Sequence, residues 1–303
     1  MNCKFFLLVA MLLISIPVSI NAQKDSVKDN EWTWEDEDWG QLDDFKFDID
    51  FFGNHFHHSP TISLNYSVAA SNIKNFSNDF NDAGMLELKL GHTTEGASGF
   101  SEDLVKYKYH FLYISKLSTA LSSAEINFAK LDWQMWRFGT GWSSGFGYKI
   151  GNVSIIPYYS YSLDWSRLEM LSSPASPLEK AKLDLFNESI RFGTGSEGGV
   201  RIKILDYLTL EAGYERSIIF QRHLFWKWSG SAILEAIGQW AVDEFVDEII
   251  DSSPMAAPIV NFLLKNGLSY AVYELRQEKM NWPFVSETPL AHDQFKFGIT
   301  FTF

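Results

Sequence analysis

Residues 295–303 read FKFGITFTF, Phe295 to Phe303. Phe295, Phe297, Ile299, Phe301 and Phe303 fall on one face of an extended chain, and Lys296, Gly298, Thr300 and Thr302 on the other. Strict period-two alternation marks a strand lying between two environments. The half-buried edge of a soluble sandwich makes such a pattern. So does the wall of a transmembrane barrel, where one face meets lipid and the other the lumen. Five large apolar side chains on a terminal strand favour the barrel, and the rest of the chain is read against that alternative.

At the other end, Lys4 makes a positive start, Phe5 to Ile16 an apolar stretch, Pro17 a break and Ile20-Asn21-Ala22 a cleavage site. Residues 1–22 are therefore predicted to be a secretory signal, too short and wrongly flanked for a spanning helix. Cys3, the one cysteine of the chain, lies inside it. The exported chain is left without disulfides and depends on a core or a bilayer for stability. The formal net charge of −13 argues against nucleic acid as a partner. After the signal there is no apolar run of about 18 residues, so no simple spanning helix is expected.

Residues 23–60 have a different character. Eleven acidic residues and three lysines lie between Gln23 and Asp50, interrupted by Trp32, Trp34 and Trp39. Such a segment is expected to be solvated and largely disordered. His55, His57 and His58 follow Asp48 and Asp50, and imidazole with carboxylate at that density could hold a transition metal. No second motif supports a site, and chance clustering in a loop is the simpler reading. No metal and no cofactor is predicted. Phe45 to Phe51 could add a short strand.

From residue 61 onward the alternation recurs. Strands are expected near 61–69, 85–92, 105–115, 131–148, 153–165, 189–204, 208–224 and at the C-terminus. Ile62, Leu64, Tyr66 and Val68 are assigned outward on the first, and Leu86, Leu88 and Leu90 on the second. On the third, Val105, Tyr107, Tyr109, Phe111 and Tyr113 are assigned outward, with Lys106, Lys108 and His110 inward. The fourth sets Trp136, Phe138, Trp142, Phe146 and Tyr148 against Arg137, Gly139, Gly141, Gly145 and Gly147. Inward glycine suits a narrow barrel, where side chains compete for lumen space. Pro157, on the fifth, has no N–H for the ladder and needs a bulge or a weakened pair. On the seventh the alternation breaks at Arg216, which points to a bulge. The turns at 149–152 and 205–207 are short and the loops at 71–83, 116–129, 167–187 and 225–290 long, as expected of periplasmic and extracellular ends. The connection at 95–104 is long for a periplasmic turn. Trp133, Trp136, Trp165, Trp226 and Trp228 are placed at outer ends, as an aromatic girdle.

The signal, the alternating strands and the terminal Phe-Thr-Phe resemble a bacterial outer-membrane β-barrel of the small OmpA-like type. WRFGTGWSSGFGYKIG, IIPYYSYSLDW and MNWPF look like a group of Bacteroidetes-type envelope barrels of unassigned role. The resemblance covers about 61–303 and implies an all-β transmembrane antiparallel up-and-down barrel of about eight strands in the outer membrane. It also implies that Phe297, Phe301 and Phe303 act as the signal read by the barrel assembly machinery. The acidic N-terminus and the insert depart from the simplest barrel of this type.

The inferred lumen carries Glu87, Lys89, Lys106, Lys108, Arg137, Arg191, Glu197, Arg201, Glu211, Glu215 and Lys296. Eight strands leave an interior just wide enough for side chains to fill, and buried charges must be paired. These residues are therefore expected to form an internal network in a structural or binding barrel, with outer-membrane lipid as its surroundings. A narrow pore for small solutes is the alternative. A lipid- or lipopolysaccharide-modifying enzyme would need a serine, a histidine and an acid together. His92, His110 and His223 offer no such set in sequence, so no catalytic residue is assigned.

The insert at 229–282 is predicted to be a helical hairpin, with helices at 231–250 and about 257–279. Ile233, Ile237, Trp240, Phe245 and Ile249 make one side of the first helix apolar, and Glu235, Asp243 and Asp247 make the other polar. The hairpin is expected at the extracellular mouth, anchored by Trp226, Trp228 and Trp282, where it covers the barrel or lies in the outer interface, and it is a candidate surface for an envelope protein partner.

Overall fold

A computed structural model describes residues 59–98, 101–122 and 127–303. The expected signal, the acidic segment, the histidine cluster and Phe45 to Phe51 lie outside the described residues. Eight antiparallel strands close into a barrel in sequence order. They are β1 (Ser59–Ile73), β2 (Ala83–Ser98), β3 (Ser101–Ser118), β4 (Trp133–Ile150), β5 (Val153–Met170), β6 (Ile190–Leu205), β7 (Leu208–Ile219) and β8 (Leu290–Thr302). Closure is made by β8 on β1, with Thr302 opposite Thr61 and Leu290 opposite Ile73. The last residue extends that seam, since the Phe303 N–H donates to the Pro60 carbonyl at 2.9 Å.

Facing follows the alternation on most strands. Ile62, Leu64, Tyr66 and Val68 are exposed on the outer wall while Ser63, Asn65 and Ser67 are buried. Phe295, Phe297, Ile299 and Phe301 point out, and Lys296 and Thr300 point in. β3 is the exception. Tyr107, Tyr109, Phe111 and Tyr113 are buried in the lumen, whereas Lys106, Lys108 and His110 lie on the exposed outer face with Leu112 and Ile114. The register gives the reason. Phe111 is directly opposite Gly141, Tyr113 opposite Gly139 and Tyr107 opposite Gly145. A Cβ at Gly141 would run into the Phe111 ring. Gly141 thus leaves the space into which Phe111 packs, and Gly139 and Gly145 free lumen volume opposite Tyr113 and Tyr107.

The pairing decides several other expectations. β2 and β3 pair as far as Ser98 opposite Ser101, so most of the apparent connection at 95–104 is strand. At Pro157 the β4–β5 pairing lapses between Gly145–Tyr158 and Tyr148–Ile155 without a change of register, which is a weakened pair and not a bulge. Arg216 sits in unbroken register, opposite Ser196 and Asp293. The irregularity between β6 and β7 is at Lys203/Leu205 instead. Trp133 points inward and is buried, donating from Nε1 to the Asn81 carbonyl at 2.8 Å; Trp136 and Trp165 remain on the outer wall.

The long loop before β6 contains helix α1 (Pro177–Asp184), and the insert forms α2 (Phe225–Ser252) and α3 (Ala257–Glu278), joined through Ser253 to Ala256. The hairpin does not cap the mouth. It runs along the outside of the barrel against β4 to β7. At the long-loop end Glu278 pairs with Lys74 at 2.6 Å. At the short-turn end the Tyr148 hydroxyl donates to the Met255 carbonyl at 2.7 Å.

Candidate functional site: the lumen charge network

Alternate residues of all eight strands must share a narrow interior, so their charges meet across it. Lys296 from β8 is the hub. Its Nζ lies 2.7 Å from Glu87, 2.9 Å from Glu215 and 3.1 Å from Glu197. Lys89 reaches the same Glu87 and Glu197 at 3.6 and 3.5 Å. Arg137 bridges Glu215 at 2.9 Å and Asp164 at 2.6 Å. Neutral groups supply further bonds: Asn65 donates to Glu87 at 3.1 Å, Tyr113 to Asp164 at 3.0 Å, and Tyr158 to Glu197. Three cations and four carboxylates are held together with little access to water. Ion pairs so buried gain little net stability, but removing one partner leaves an uncompensated charge.

Toward the short-turn end a second set follows. Arg201 lies 3.3 Å from Glu211 and stacks over the Tyr107 ring at 3.9 Å, and Lys203 pairs with Glu95 at 3.1 Å. Thr300 donates to Glu211 at 2.7 Å. Space for these groups again comes from glycine, since a Cβ at Gly199 or Gly213 would meet the Tyr158 hydroxyl.

Of the expected network, Glu87, Lys89, Arg137, Glu197, Arg201, Glu211, Glu215 and Lys296 are brought together. Arg191 faces inward at the outer end of β6, beside Ser166 of β5. Lys106 and Lys108 are not members: they follow β3 to the outside, where Lys106 lies over the Phe146 ring at 5.4 Å. Asp164, Tyr113, Tyr158 and Asn65 belong to the network without having been singled out in the sequence. The signal for Asp164 was present, as a lone acid on the inward phase of β5 opposite Gly139 and Gly193.

The lumen is also closed at one end. At the long-loop end the inward residues turn apolar: Ile73, Met85, Leu117, Trp133, Met135 and Leu290 pack with Phe80 from the first loop and with Leu183 and Phe186 from the third. Glu179 of α1 ties these loops together by accepting from the Ser77 N–H at 2.6 Å and from the Asn78 amide.

The histidines considered for catalysis do not assemble. His92 and His110 are on the outer wall, and His223 packs among Phe192, Phe225 and Trp228. Elsewhere a serine hydroxyl meets a histidine ring, Ser71 Oγ to His292 Nδ1 at 2.8 Å. It lies beneath the apolar cap, with the Trp133 ring edge-on to His292. The far ring nitrogen of His292 has no hydrogen-bond partner among the described residues, so the orienting acid of a triad is missing there.

An apolar wall around a charged, paired interior inverts the arrangement of a soluble protein, and closure removes every sheet edge, as the hydrocarbon of a bilayer requires. This is the architecture of an outer-membrane β-barrel. Among solved structures the barrel is similar to neisserial surface protein A, at 10% identity over 80% of this chain and 97% of that one, with a TM-score of 0.38. It is also similar to Ail, the attachment invasion locus protein of Yersinia pestis, at 8% identity over 81% of this chain and 99% of that one, with a TM-score of 0.31. No family model matches the sequence, and neither does any curated protein.

Proposed function

We propose that this chain is a non-conducting barrel with a structural or binding role in the cell envelope, and that it carries no catalytic centre. On the quoted sequence stretches we place it with the Bacteroidetes-type envelope barrels. The observation that carries the reading is the filled interior. Lys296 and Arg137, with the carboxylates that meet them, span the lumen, and the cap around Trp133 closes it above. A hydrated path would have to break buried ion pairs, each costly once one partner is lost. Binding, in this reading, is a property of the outer surface and loops and not of a channel. The test is single-channel recording with the full chain in planar bilayers. The expected result is a silent bilayer under conditions where heat-modifiable migration shows the barrel folded. Stable unitary conductance would favour the narrow-pore alternative. Release of fatty acid from phospholipid or lipid A would favour an enzyme, with Ser71→Ala and His292→Ala as the first variants to examine.

A further inference from the structure

Val246, Ile250 and Ala257 make a buried apolar contact near the Met255 end of the α2–α3 hairpin, but over the rest of its length large charged side chains are covered and large apolar ones bare. Between the helices, Arg276 donates to Glu235 at 2.7 Å and to Ser231 at 2.9 and 3.1 Å. Gln239 donates to Ser269 at 3.0 Å, and Lys265 lies 2.5 Å from Asp243. Arg276 and Lys265 are only 4% and 2% exposed, while Ile237 and Leu263 are 50% and 60% exposed. A helical pair in water has the opposite arrangement, with its apolar stripe inward.

The barrel wall beneath it holds covered polar groups too, beside the apolar Trp142, Ile218 and Ala291. Tyr159, Tyr161, Arg216 and Asp293 point outward by strand phase yet are covered or half-covered. Tyr273 donates to Asp293 at 2.6 Å, and Arg216 lies over the Tyr270 ring at 5.2 Å. On a bare wall these groups would face hydrocarbon. The hairpin joins the two ends of the barrel, from Glu278–Lys74 to Met255–Tyr148. Twenty-two residues of α3 at 1.5 Å each give roughly 33 Å, enough to cross an apolar band of about 25 Å at a tilt. Asp247, Glu248 and Asp251, which are exposed, cluster in the last turns of α2 near the Met255 end. Among the described residues no helix is long and apolar enough to cross a membrane by itself, because the polar side chains needed for the seam dilute each helix.

We propose that the hairpin is embedded in the outer membrane beside the barrel, its bare face covered by lipid acyl chains. The lipid belt of the protein is then composite, made of strands at β1, β2 and β8 and of helices over β4 to β7. This rests on the outer-membrane reading of the barrel, so the experiment carries a control on the barrel itself. The sole native cysteine is Cys3, in the expected signal, which allows single-cysteine variants of the mature chain. Ile237→Cys, Leu263→Cys, Phe297→Cys and Glu248→Cys are spin-labelled, checked for heat-modifiable migration and reconstituted in phosphatidylcholine–phosphatidylglycerol vesicles. Power saturation then compares access of oxygen with access of a water-soluble nickel chelate. Positions 237 and 263 are expected to match 297 and to exceed 248 several-fold in the oxygen-to-nickel ratio. If 237 and 263 instead match 248 while 297 stays lipid-like, the inference falls and the barrel stands. If 297 is also aqueous, the membrane reading itself fails. Dipolar broadening between labels at 237 or 263 would show a second copy on this face and would equally overturn lipid as its occupant.

Discussion

Lys296 Nζ stands 2.7 Å from a Glu87 carboxylate oxygen across the barrel seam region, and the same nitrogen meets Glu215 and Glu197. One ammonium thus holds carboxylates from β2, β6 and β7 around β8. Lys296→Met is expected to leave these acids clustered without their hub, at a cost of about 3–5 kcal/mol. Lys106→Met, on the outer wall of β3, is expected to cost far less. Urea unfolding of both variants in lipid vesicles makes the comparison, and equal losses would contradict the facing of β3.

The contact of Phe111 with Gly141 is a second point where composition and packing meet. Gly141→Val places a branched side chain where the ring already lies, and overpacking of this kind costs about 1–3 kcal/mol. Phe111→Ala alone should also destabilise, by opening a cavity. The double variant should lose less than the sum of the two, because each change relieves the other. Strict additivity in a double-mutant cycle would show that the two residues do not share the space.

Phe303 is exposed at the end of β8, and its N–H closes on Pro60. Deleting it, or replacing it with Ala, is expected to lower the amount of folded barrel in the outer membrane, as judged by heat-modifiable migration of envelope fractions. The deletion also removes the Phe303–Pro60 bond, while the alanine variant keeps it, so a shared defect points to recognition of the aromatic side chain. Unchanged folded amounts in both would count against an assembly role for Phe297, Phe301 and Phe303.

Glu179 gives the loops a pH dependence. The Ser77 N–H, followed by the Ser77 hydroxyl, the Asn78 amide and the Lys182 charge, holds its carboxyl below the usual glutamate range against the opposing effect of burial. A carboxyl depressed in the folded state contributes stability above its unfolded pKa, about 4.3, and loses it as pH falls through the folded value. Protection of residues 74–80 from hydrogen exchange should therefore persist at neutral pH and decline in acid. Glu179→Gln should weaken protection at neutral pH and flatten the dependence. An unaltered profile in the variant would remove Glu179 as its source.

The strand count, the closure by an alternating C-terminal strand and most of the lumen charges could be read from local pattern. Period two assigns a face to each residue once one face is known, and β1, β2 and β8 carry apolar residues on one phase only. β3 does not, because its two phases hold large aromatics and basic residues, and either could pass for a wall. What decided between them was the partner strand: the glycines of β4 lie opposite the aromatics, and register is a tertiary property. The hairpin shows the same limit. Its helices and their apolar and polar sides were legible in α2 and α3, but amphipathicity does not say which side is buried. The break at Arg216 was legible too, yet its cause is a helix from elsewhere in the chain covering a charged outer wall. A residue's own neighbours in sequence determine its periodicity, whereas the environment that gives each phase its meaning comes from segments brought together only when the barrel closes.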